Sequence, residues 1–177
     1  MPEQQIADVG SLVANLEGRG TAPNSSELTE VAEALAKQFD VDADEVAIMK
    51  FVPKFKSLKF VVPVKLSPVG TIPVTSTSAL AAKTARERKP EAVNSFSSAR
   101  HANVFEAVPL GRDPSELIQK IMSAPILEGS KVIGVVQICR KAASLNTAGP
   151  DFTQKDLKAL VALTGALHRL LNLCKVD

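Results

Sequence analysis

Two cysteines and two histidines are the side chains best suited to chemistry in this 177-residue chain. Thiol exchange needs two sulfurs that can meet. Cys139 falls inside the apolar run Lys131-Val132-Ile133-Gly134-Val135-Val136-Gln137-Ile138-Cys139, and Cys174 closes a long helical stripe. Both positions predict burial, where a cysteine behaves as an inert small hydrophobe. Neither a CxxC pair nor a metal knuckle can be written from them. His101 stands in the polar run Ser97-Ser98-Ala99-Arg100-His101, where it offers a ligand contact or a pH-sensitive group. His168 shares a narrow polar arc with Lys158, Arg169 and Asn172 and is expected in solvent. The chain carries no Ser/His/Asp set, HExxH, P-loop or GxGxxG, so acid–base or nucleophilic catalysis is poorly supplied. No enzyme is expected, and no cofactor or metal.

The charges are unevenly placed. Residues 1–45 hold ten acids and two bases, whereas residues 46–177 hold nine acids and nineteen bases. No acid occurs between Val46 and Arg86, a stretch that contains Lys50, Lys54, Lys56, Lys59, Lys65 and Lys83. A basic run of this kind is compatible with anions. Without Trp or Tyr to stack on bases, nucleic-acid binding is not expected. Apolar residues make up 45% of the chain, yet no run approaches the roughly 20 needed to cross a bilayer. A soluble, cytoplasmic domain without membrane contact is the expectation.

Those residues must be positioned by a short series of elements. Ile6, Val9, Val13 and Leu16 keep a 3-4-3 spacing that predicts a helix over 3–17. Asn24 with Glu27 reads as a capping box opening a second helix that ends near Phe39-Asp40. A strand over 46–52 and another over 58–66 follow. Pro63 cannot donate to a ladder, which assigns the second strand to a sheet edge. A helix over 77–88 is stopped by Pro90, a short strand holds Ala92-Val93, and 94–112 is a polar loop. Asp113-Pro114-Ser115-Glu116 reads as a capped helical turn. Strands over 118–127 and 131–141 form a hairpin around Glu128-Gly129-Ser130. The last helix, 154–174, is apolar over far more of its circumference than one core-facing stripe needs. Leu160, Leu167 and Leu171 lie on its 3-4 stripe. With Ile6, Val9, Val13 and Leu16 they predict a helical seam between two copies of the chain, so that 1–22 serves a dimer bundle and 23–177 forms one domain. The alternative is that the chain's own N-terminal helix covers that face.

The element order, with Pro125-Ile126, Glu128-Gly129-Ser130 and Val132–Ile138, resembles the GAF domain family over about residues 25–173. The resemblance implies an α+β fold: a twisted antiparallel sheet of five to six strands, N- and C-terminal helices on one face, and a helix- and loop-covered ligand cavity on the other. It also implies a signalling role through small-molecule binding, through dimerisation or protein interaction alone, or, more remotely, chemistry like that of free methionine sulfoxide reductases. Of the family's cyclic-nucleotide signature, Lys141, Phe152 and Asp156 match, while Arg140 and Leu157 depart. Lys141 and Asp156 are read as a surface ion pair. The cavity then lies between the sheet and the 77–88 helix with the 94–111 loop. Its polar candidates are Ser76, Thr77, Arg86, Asn94, Arg100 and His101. Arg86 and Arg100 would favour a small anionic effector, and output would pass through a homodimer or a separate signalling partner.

Overall fold

Helix α2 (Ser25–Phe39) begins where Asn24 and Glu27 exchange hydrogen bonds, the side chain of each accepting from the other's backbone N–H. Helix α1 (Val9–Arg19) is capped by Asp8 and stopped at Gly20, whose φ of 69° favours a residue without a Cβ. The computed structural model describes residues 8–68, 71–96 and 116–175. Strands β1 (Val46–Val52), β2 (Ser57–Val62) and β3 (Thr71–Pro73) come next. Helix α3 (Leu80–Glu87), strand β4 (Glu91–Val93), the long strands β5 (Leu117–Glu128) and β6 (Lys131–Ala142), and helix α4 (Gln154–Leu173) complete the order.

The strands form one antiparallel sheet in the order β3-β2-β1-β6-β5-β4. The β5–β6 hairpin turns at Gly129 with φ 61°, pairing Glu128 with Lys131. The expected edge strand is a correction: β2 lies between β1 and β3, and the three-residue β3 is the edge. Pro63 sits one residue beyond β2 and so asks nothing of its ladder.

Alternation along the strands separates two apolar layers. Val46, Ile48, Met122, Ala124, Ile126, Val136 and Ile138 face α1, α2 and α4. Ala47, Met49, Leu58, Phe60, Ile121, Val135 and Cys139 face α3. Gly134 marks the closest approach of the first layer. A Cβ there would lie 2.3 Å from the Met49 carbonyl oxygen and 2.4 Å from Leu171 Cδ1. Lys50 fastens the same region, donating from Nζ to the carbonyls of Leu171 at 2.9 Å and Cys174 at 2.7 Å. An ammonium at the C-terminus of α4 also meets the negative end of its dipole.

The side chains expected at an intermolecular seam are occupied within the chain itself. Val9, Val13 and Leu16 of α1 and Leu160, Leu167 and Leu171 of α4 are all buried in the chain's own first layer, together with Val31 and Leu35 of α2. Arg169 and Glu17 close the α1–α4 contact at 2.7 Å, and Arg19 pairs with Glu27 between α1 and α2. Helix α1 is therefore part of this core. Ile6, the remaining residue of the expected seam, lies outside the described residues. Among the described residues, no helix is long and apolar enough to cross a membrane.

Candidate functional site

The α3 face of the sheet carries its floor on β1, β6 and β5 and one wall on α3. Arg100 and His101, expected in its roof, lie outside the described residues, as do residues 113–115 of the turn expected over 113–116. Most of the other expected ligand contacts are committed to backbone. Arg86, in the last turn of α3, reaches back to the carbonyls of Val74 and Ser76, at 2.5 and 2.7 Å. Ser76 Oγ accepts from the N–H groups of Ser78 and Ala79, finishing the turn that leads into α3. This is why α3 starts at Leu80 rather than near Thr77, which is exposed. Asn94 uses both ends of its amide on one residue: Nδ2 donates to the Phe152 carbonyl at 3.0 Å, and Oδ1 accepts from the Phe152 N–H at 2.9 Å. It ties the end of β4 to the segment that enters α4.

The expected Lys141–Asp156 ion pair is absent among the described contacts. Asp156 closes the capping box of α4, its carboxylate accepting from the Thr153 N–H at 2.8 Å. Lys141 is buried at the other side of the sheet, where its own N–H donates to the Glu45 carboxylate. Arg140 stacks 4.7 Å over the Phe152 ring and donates to the carbonyls of Phe39, Asp40 and Pro150, holding the end of α2 to this corner. The residues that resemble part of a nucleotide signature thus serve as fasteners. His168 is partly exposed, 3.9 Å from Glu128, in an open cleft of about 240 Å³ with Pro125, Leu127 and Val161.

What the sheet does gather under α3 is a run of buried polar groups. Thr84 Oγ1 donates to the Leu80 carbonyl at 2.9 Å, Ser123 Oγ lies 2.7 Å from Thr84 Oγ1, and Gln137 Nε2 donates to Ser123 Oγ at 3.2 Å. Thr84 is 2% exposed, Ser123 0% and Gln137 1%. Ser123 and Gln137 are direct cross-strand partners, and Ala47 flanks Gln137 on β1. The signal for these residues was available in sequence. Ser123 and Gln137 each interrupt an apolar stretch of strand, Ile121–Leu127 and Val132–Cys139, at a position whose alternation faces α3.

The cysteines fall on opposite sides of the sheet. Cys139 belongs to the α3 layer and Cys174 to the helical layer, and both are buried. Burial pushes the Cys174 thiol above its ordinary pKa, with the Lys50 charge pulling the other way by less. The carboxylates of Asp42, Asp44 and Glu45 cluster beside the start of β1. Asp42 and Glu45 are engaged in the turn itself, Glu45 accepting from the Asp42 N–H at 2.9 Å.

Comparison with known proteins accords with this architecture. A family model described as GAF domain matches residues 25–167. The GAF domain from an Acinetobacter phosphoenolpyruvate-protein phosphotransferase superposes with TM-score 0.67 at 13% identity, covering 100% of both chains. Residues 122 to 287 of a methyl-accepting chemotaxis protein give TM-score 0.60 at 16% identity, covering 93% of this chain and 99% of that one. The free methionine-R-sulfoxide reductase from Neisseria meningitidis, in complex with its substrate, gives TM-score 0.60 at 15% identity over 98% and 93% of the two chains. At such identities the likeness is one of fold. A search of curated proteins finds no sequence match.

Proposed function

The chain belongs to the GAF domain family, and from that premise we propose that it is a regulatory domain that binds a small molecule on the α3 face of its sheet. The observation that carries this reading is the Thr84–Ser123–Gln137 run, buried beside the apolar side chains of the α3 layer. Buried polar groups weaken a core unless every donor and acceptor is matched. Stability alone would favour Val or Leu at these positions. A few convergent polar groups in an apolar setting are instead what orients a ligand. The helical face, by contrast, is closed by α1, α2 and α4.

No catalytic step belongs to this reading. Cys139 and Cys174 face opposite layers, so their sulfurs cannot meet while the sheet is intact. That opposes a two-thiol reductase in spite of the fold shared with one.

A thermal-shift panel of small metabolites, free amino acids and nucleotides tests the proposal. A compound at 100 times its dissociation constant adds about 2.7 kcal/mol of stability. The expected result is a saturable rise in Tm with at least one compound, reduced in the Gln137→Met variant. A panel that leaves Tm unmoved throughout overturns it.

A further inference from the structure

We propose that Gln137 is the specificity contact of this site, and that its ligand presents a neutral amide-type edge: one N–H to give and one carbonyl oxygen to accept. The inference rests on the ligand-binding reading above and deepens it. It follows from counting protons along the buried run. Thr84 has one hydroxyl proton, and the Leu80 carbonyl, which can only accept, takes it. The 2.7 Å contact between Thr84 and Ser123 therefore needs the proton of Ser123. With that proton spent, Ser123 Oγ meets Gln137 as an acceptor, and Gln137 must turn Nε2 toward it. The opposite amide rotamer would set two oxygens together with no proton between them. The hydroxyl pair thus fixes which way the carboxamide points.

What remains of the amide is its oxygen and one Nε2 proton. Gln137 is 1% exposed, and neither atom has a further hydrogen bond among the described residues. A carboxamide left in that state is costly, and the side chains around it are small. Its neighbours across the sheet are Ala47 and Ser123, and α3 contributes Ala81, Ala82 and Ala85 to the same layer. The free oxygen repels a carboxylate or a phosphate. A bare cation would satisfy it but would leave the amide proton unmatched. An amide or lactam edge answers both atoms. Arg86, the expected anchor for an anion, is already taken by the carbonyls of Val74 and Ser76.

The test uses the full chain, labelled with ¹⁵N, and three five-membered-ring probes: 2-pyrrolidinone, cyclopentanone and cyclopentanecarboxylate. The Gln137 side-chain NH₂ signals and the Ser123 backbone amide are followed through each titration. The expected result is a saturable shift with the lactam, at least about tenfold tighter than with the ketone, the order of one or two neutral hydrogen bonds. Gln137→Met, judged folded from the same spectrum, loses that preference. Thr84→Val frees the Ser123 proton and weakens lactam binding, whereas Thr84→Ser keeps the hydroxyl and retains it. If ketone or carboxylate binds as well as the lactam and does so equally in Gln137→Met, amide recognition is wrong while the small-molecule site stands. If none of the three perturbs these signals, the inference and the reading beneath it both fall. A bound water at Gln137 that the lactam does not displace overturns the inference as well.

Discussion

The two faces of the sheet are built on different terms. On the helical face, large aliphatic side chains from α1, α2 and α4 interlock over Val46, Ile48, Val136 and Ile138, and the charged groups are held at the margins. Lys50 is placed where its ammonium donates to carbonyls at a helix end. On the α3 face the helix is rich in alanine, and the sheet sets Ser123 and Gln137 among apolar neighbours. One face spends its side chains on cohesion. The other gives up some cohesion for oriented polar atoms, which is the division expected when function resides on one side of a layer.

The largest effects are expected on the helical face. Leu167→Glu with Leu171→Glu buries two carboxylates and should abolish folding, seen as loss of the cooperative transition by circular dichroism. An intermolecular seam would instead yield a folded, dissociated chain on gel filtration. Leu160→Ala, at a fully buried position, should cost about 2–5 kcal/mol in denaturant unfolding and leave ligand response intact.

A middle range belongs to single polar groups. Thr84→Val removes the acceptor for the Ser123 proton and should cost about 1–3 kcal/mol. The double variant Thr84→Val/Ser123→Ala also strips Gln137 Nε2 of its acceptor, so it should cost more than Thr84→Val alone while abolishing the orientation of Gln137. Asn24→Ala, which deletes a capping-box partner on the surface of α2, should cost about 1 kcal/mol. It should leave ligand response unchanged. If single and double substitutions under α3 behave like ordinary core deletions, the contrast between the two faces is lost.

Much of the helical face was legible because it rests on local rules. The Asn24–Glu27 capping box, the stripe of α4, the hairpin at Gly129 and the close approach at Gly134 all follow from spacing and sterics. The stripe does not say whose helix will cover it. Val9, Val13 and Leu16 satisfy it from within the same chain, because the short linker after α1 lets that helix fold back beside α2 and α4. Pro63 is unfit for a ladder, but its place one residue past β2 removes the consequence for sheet order. Arg86, Ser76 and Asn94 are the polar types a ligand would want, yet nearby backbone groups claim them. Such claims depend on tertiary placement and leave no mark in spacing. Ser123 and Gln137 did leave one, as polar breaks in buried alternation.

The most direct measurement is a high-resolution crystal structure of the full chain, grown with a compound that raises its melting temperature. The account predicts electron density larger than water on the α3 side of the sheet, with a donor atom within hydrogen-bond distance of Gln137 Oε1. Side chains of the chain itself packed against that oxygen, with the compound bound elsewhere, would contradict it.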